Sequence, residues 1–228
     1  MSQIPVVDVS ARGKDRAARE QLAKTIEQIA REVGFMYVVN HGIDQKILDD
    51  VFEADREFHA KPLEEKLKVE LNEFHRGYQA PNSVQLKASS KFESAKKPSS
   101  RAAFVVRNEI DTSSPGFDPS LPLQGPNRWP DDADFRRVVT TYRDSVRDLG
   151  LSLLPVFSIA MGEEENYLNQ FFAPPTTTLS LLHYAPEPNA DPDQFGSAPH
   201  TDYGFLTILA QDDVGGLQVQ STDGAWIP

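Results

Sequence analysis

Pro199-His200-Thr201-Asp202-Tyr203-Gly204-Phe205-Leu206-Thr207-Ile208-Leu209 is the stretch on which the fold turns. It places a histidine and a carboxylate two residues apart, and in an extended strand the side chains at i and i+2 lie on one face. His200 and Asp202 therefore converge on one side while Thr201 turns away. An imidazole nitrogen and a carboxylate oxygen are two of the three donors of a 2-His-1-carboxylate triad, which suits non-haem Fe(II) and leaves positions open for oxygen chemistry. His-x-Asp alone is equally a hydrogen-bonded pair at a strand end. The surroundings favour the metal.

Residues 205–209 read as a buried strand rich in β-branched and aromatic residues. Gln211-Asp212-Asp213-Val214-Gly215-Gly216 carries turn chemistry, and Leu217-Gln218-Val219-Gln220 alternates apolar with polar. After the turn Ser221-Thr222-Asp223-Gly224, a further strand begins at Ala225-Trp226-Ile227-Pro228. The pair thus heads a series of short strands, the setting of a metal site at the mouth of a β-barrel or sandwich.

Upstream the pattern is helical. A first strand at residues 4–8 leads into a helix over 15–33 with Leu22, Ile26, Ile29 and Val33 on one stripe, stopped by Gly34. A strand at 35–39 precedes a second helix, capped by Asp44 and running through Phe58, with Pro62 opening a charged third helix over 63–69. Asp131 or Asp132 caps a long helix reaching Met161, in which Pro155 predicts a kink. A short helix is expected over 163–171, and a strand region from Thr177 to Tyr184. Residues 72–130 lack periodicity and are rich in Gly, Pro, Ser, Asn and Lys; such a segment reads as a functional lid, as short strands hidden from pattern analysis, or as disorder. We expect it to form part of a substrate entrance.

Composition narrows the function. The 228 residues carry 23 Lys plus Arg against 34 Asp plus Glu, a net charge of −11 that disfavours nucleic acid as the main partner. Lys87, Lys91, Lys96, Lys97, Arg101 and Arg107 form a local exception, read as a solvated loop in preference to an anion-attracting one. No run approaches a membrane span, and the N-terminus has no signal-peptide pattern. With no cysteine there is no thiolate chemistry, and the expected location is cytoplasmic.

Several passages together resemble a known family. Ile4-Pro5-Val6-Val7-Asp8, Glu32-Val33-Gly34-Phe35-Met36-Tyr37-Val38-Val39-Asn40-His41-Gly42-Ile43, His75-Arg76-Gly77-Tyr78, and the run from His200 to Val219 are similar to the Fe(II)- and 2-oxoglutarate-dependent dioxygenases of the isopenicillin N synthase-like type. The resemblance implies a mixed α/β (α+β) fold, with a helical N-terminal region followed by a double-stranded β-helix, or jelly roll. It divides the chain into residues 1–130 with the substrate-loop segment, a helical connection at 131–175, and the first part of the catalytic core at 176–228.

It also implies Fe(II) held by His200, Asp202 and a distal histidine, with 2-oxoglutarate as co-substrate, O2 as oxidant and ascorbate as reductant. A small organic substrate is oxidised while succinate and CO2 are released. Tyr184 matches a family tyrosine that lines the co-substrate or substrate pocket; two residues earlier, Leu182 stands where many members carry asparagine. The family's distal histidine and Arg-x-Ser clamp lie beyond the segment matching Asp223–Pro228, so the resemblance predicts an incomplete jelly roll and an inactive chain on its own. The competing readings are an Fe(II) oxidase of the same fold that does not use 2-oxoglutarate, and a non-catalytic fragment. His183 falls on the opposite face from Tyr184 by strand parity, which disfavours it as a ligand; His41, His59 and His75 read as structural.

Overall fold

The computed structural model describes residues 3–87, 91–121, 123–189, 191 and 193–228. The chain is a mixed α/β protein of two compact units, one of Met1–Leu48, Asp144–Pro175 and Ile208–Pro228, the other of Asp49–Arg143 and Thr176–Thr207.

In the first unit, β1 (Val6–Asp8) and β2 (Tyr37–Val39) pair in parallel, joined by helix α1 (Arg16–Glu32). Asp15 caps α1 by accepting a 2.9 Å hydrogen bond from the Ala18 amide. The apolar stripe is buried as its spacing requires: Leu22, Ile26 and Ile29 pack with Val7, Val9, Leu149, Leu153 and Val156. Arg12 ties the turn after β1 to its surroundings. Its guanidinium donates to the carbonyls of Val9 (3.0 Å), Asn40 (3.2 Å) and His41 (2.6 Å) and to Ser152 Oγ (3.0 Å). A hairpin of β6 (Val219–Gln220) and β7 (Trp226–Ile227) places Val219 and Ile227 against Val33.

The second unit is built on an antiparallel sheet of β3 (Gly77–Gln79), β4 (Ala102–Arg107) and β5 (Thr178–His183), in the order β3-β4-β5. Both β3 and β4 lie inside the stretch that lacks periodicity. Strand β3 has three residues, too few to show alternation, and β4 is buried along nearly its whole length and so does not alternate. Helix α2 (Gln45–Ala60) brings Phe58 onto the sheet, its ring 4.9 Å from Phe104 and 5.9 Å from Tyr78. Helix α3 (Leu63–Leu67) follows. Helix α4 (Ala133–Ala160), capped by Asp132 Oδ1 at 3.0 Å from the Phe135 amide, stacks Phe135 on Phe58 at 5.1 Å. The helix continues past Pro155.

Two expectations are corrected. Residues 205–209 belong to no sheet of the described residues: exposure alternates along them, as in a strand, but no ladder holds them. Apolar alternation registers a face, whereas a strand also needs a neighbour for its amides and carbonyls. The helix expected over 163–171 is a 3-10 segment at Tyr167–Phe172. Tyr167 donates to the Glu164 carbonyl and Asn169 to that of Asn166, three residues back, in a stretch too short and too rich in Asn to hold an α-helix.

Gly77 shows how closely the chain packs where β3 begins. Its φ is +111°, and an added Cβ would lie 2.4 Å from the Val69 carbonyl oxygen and 3.0 Å from that of Glu70. The approach is fixed by Tyr78, whose amide donates to Val69 at 2.6 Å and whose carbonyl accepts from the Leu71 amide at 2.8 Å. Gly77→Ala combines a left-handed backbone with a backbone collision, and is expected to remove roughly 3 kcal/mol of stability. The midpoint of urea unfolding measures it; an unchanged midpoint would contradict the packing described.

Candidate metal centre and the polar face of the sheet

Register sorts the residues of the sheet into two faces. Directly opposed residues of an antiparallel pair point the same way. Ala102 opposes His183, Phe104 opposes Leu181 and Tyr78, and Val106 opposes Leu179, so these form one face. That face meets the helices: His183 stacks on His59 of α2 with ring centroids 4.8 Å apart and planes at 10°. Burial, the adjacent His59 and Lys66 push the His183 pKa down, against an opposing pull from Asp55. His59 Nε2 lies 3.2 Å from Asp55 Oδ1, its side chain fully enclosed. With its ring stacked among the helices, His183 is a packing residue.

The opposite face carries Gln79, Ala103, Val105, Arg107, Thr178, Ser180 and Leu182, and its parity continues one residue beyond the ladder to Arg101 and Tyr184. Arg107 is held there by Thr178 Oγ1 at 2.6 Å and by the His75 carbonyl at 3.4 Å. Tyr184 is half exposed, and its ring lies over Gly196, where a Cβ would meet it at 2.6 Å. Burial pushes the phenol pKa up, and the Arg101 guanidinium pulls it partly back.

The segment before His200 is fastened along its length to residues 96–101. Lys96 pairs with Asp193 at 3.1 Å and Lys97 with Asp191 at 2.8 Å. Gln194 Nε2 donates to the Pro98 carbonyl at 2.7 Å, while the amides of Ser100 and Arg101 donate to Phe195 and Gly196 at 3.1 and 3.3 Å. These bonds lead to the buried Ala198, whose carbonyl accepts from His200 Nδ1 at 2.8 Å. A carbonyl only accepts, so Nδ1 carries a proton and Nε2 is turned the other way.

Nε2 stands 3.3 Å from Asp202 Oδ1. At that distance the two groups can form a hydrogen-bonded pair with each other, and a ring unprotonated at Nε2 can share a cation with the carboxylate. Histidine ligands to metals are oriented in this way, with the second ring nitrogen bonded to a carbonyl. The nitrogen and oxygen donors fit a divalent first-row metal such as Fe(II). Among the described residues no three His, Asp or Glu side chains gather; His200 and Asp202 come together as a pair. The sequence spacing indicated the convergence; the carbonyl that fixes the tautomer had no signal in it.

Comparison with known proteins finds one family along most of the chain. The model for the non-haem dioxygenase in morphine synthesis N-terminal region matches residues 4–132, and that of the 2OG-Fe(II) oxygenase superfamily matches residues 176–228. The 2-oxoglutarate-dependent dioxygenase tropC of Talaromyces stipitatus is 33% identical over 99% of this chain and 72% of that protein. The 2-oxoglutarate-Fe(II) type oxidoreductase hxnY of Emericella nidulans is 30% identical over 98% of this chain and 65% of its own length. Among solved structures, a full-length Neurospora crassa protein in complex with alpha-KG superposes with a TM-score of 0.80 at 29% identity, over 98% of this chain and 68% of that one. The chain belongs to the 2-oxoglutarate/Fe(II)-dependent oxygenase family.

Proposed function

We propose that this protein oxidises a small organic molecule with O2 and 2-oxoglutarate, using an Fe(II) held in part by His200 and Asp202, with ascorbate as reductant. The observation that carries the reading is the orientation of the His200 ring, whose Nδ1 is bonded to the Ala198 carbonyl and whose Nε2 is turned toward Asp202 Oδ1 at 3.3 Å. Bound there, iron supplies the activation of O2 that couples oxidation of 2-oxoglutarate, to succinate and CO2, with oxidation of the substrate. The residues of the chain orient and enclose. Ala198 holds the imidazole plane, the ion pairs of Lys96 and Lys97 hold the segment leading to it, and Tyr184 offers a phenol hydrogen bond to a carboxylate. Residues 72–130 contribute the substrate entrance, and β5 opens the first part of a jelly-roll catalytic core at 176–228, which follows residues 1–130 and the connection at 131–175. A small-molecule substrate is in keeping with the Neurospora crassa protein, which has been solved with alpha-KG and thymine.

Anaerobic equilibrium dialysis tests the reading. The chain is expected to retain 2-oxoglutarate only when Fe(II) is present. Retention that is indifferent to Fe(II), or no retention with it, would overturn the assignment.

A further inference from the structure

Arg101 is a cation of the polar sheet face with a guanidinium nitrogen that no group among the described residues meets. Its Nε is shielded from solvent and has no hydrogen-bond partner. Its neighbours differ: Lys96 and Lys97 are matched to Asp193 and Asp191, and Arg107 reaches Thr178 Oγ1 and the His75 carbonyl. A buried polar group without a partner calls for an explanation, and a guanidinium more so, because its planar fork matches a carboxylate.

The position of Arg101 supplies one. Ala102 opposes His183, so the next pair outward is Arg101 with Tyr184, on the face turned away from the helices. The Arg101 amide donates to the Gly196 carbonyl, and the Tyr184 ring lies over Gly196, four residues before His200. A guanidinium and a phenol, both donors, thus lie side by side on the sheet face turned away from the helices, joined by Gly196 to the segment that delivers the metal pair. We propose that Arg101, with Tyr184, is an anion-recognition site that takes a carboxylate of the molecule bound against this face. The proposal rests on the oxygenase reading only for the identity of that molecule, and two sources share the chemistry: the distal carboxylate of 2-oxoglutarate and a carboxylate on the primary substrate.

The experiment compares the full chain with Arg101→Gln in anaerobic Fe(II) solution by isothermal titration. The probes are 2-oxoglutarate against 2-oxopentanoate, which lacks the distal carboxylate, and benzoate against benzamide. The wild-type chain is expected to prefer the carboxylate of at least one pair, and Arg101→Gln to weaken that ligand about tenfold or more while leaving its neutral analogue unchanged. Loss confined to 2-oxoglutarate identifies the co-substrate, and loss confined to benzoate identifies the primary substrate. Equal binding by both proteins, or a wild type that binds no carboxylate, overturns the proposal. Arg101→Lys keeps the charge without the fork. If Arg101→Gln does not fold, partial weakening in Arg101→Lys supports the site and unchanged affinity refutes it. Iron uptake, read in the same samples, separates the two claims. Arg101-dependent benzoate binding without iron uptake sinks the oxygenase reading alone, and normal iron-dependent 2-oxoglutarate binding indifferent to Arg101 sinks this one alone.

Discussion

His200→Ala and Asp202→Ala are each expected to abolish stoichiometric Fe(II) uptake by the chain. Two protein donors are gathered at this point of the described residues, so removing either leaves one, and water must take the vacated position. A single imidazole or carboxylate has neither the affinity nor the fixed geometry of the pair. The two variants should keep the wild-type circular dichroism spectrum, because both side chains are about half exposed and neither contributes to a core cluster. Anaerobic titration with Fe(II), followed by dialysis and metal analysis, measures the effect. Full occupancy in both variants would show that iron sits elsewhere.

Arg76→Met is expected to produce the largest loss of stability of any single substitution in the second unit. Arg76 is 1% exposed, and its guanidinium donates to the carbonyls of Phe74 (2.9 Å), Asn108 (3.1 Å) and Leu123 (2.8 Å). It thereby ties the turn before β3 to two points in the irregular stretch that follows β4. Burial and the nearby Arg107 push its pKa down and Glu109 pulls it up, yet a guanidinium remains charged at any pH the fold survives. Methionine fills much of the volume and satisfies none of the three carbonyls, at a cost of roughly 3–5 kcal/mol. For a chain of this size that corresponds to a fall of about 10 °C in Tm. Calorimetry decides it; a shift of a degree or two would mean that water or a neighbouring side chain replaces the arginine.

What could be read before the structure follows the range of each interaction. The stripe of α1, its Asp15 cap and the Asp132 cap of α4 depend on neighbours within a few residues, and the sequence displays them directly. The convergence of His200 and Asp202 is equally local, a matter of i and i+2. Arg76 was noted as one letter of a family motif, but its partners at 108 and 123 lie 32 and 47 residues away, and no spacing rule connects them. Strands β3 and β4 went unseen because one is short and the other is buried on both faces. Residues 205–209 were read too strongly because composition records the preference of a strand without recording who pairs with it. The unmatched Nε of Arg101 also belongs to tertiary structure: six cations clustered near residue 100 in the sequence, and only the fold showed which of them had found anions.

The two-sidedness of the β3-β4-β5 sheet makes the chain unequally tolerant of changes in length. One residue inserted or deleted within Thr178–His183 would exchange the roles of consecutive side chains, bringing the Tyr184 phenol round to the helices and the His183 imidazole to the opposite face. The same change in the irregular stretch after β5 leaves that parity intact. Genetic drift in this protein is thus constrained by an odd-even rule in the strands and by distance alone in the loops, and a chain could lose its chemistry through a one-codon slip while keeping every residue that performs it.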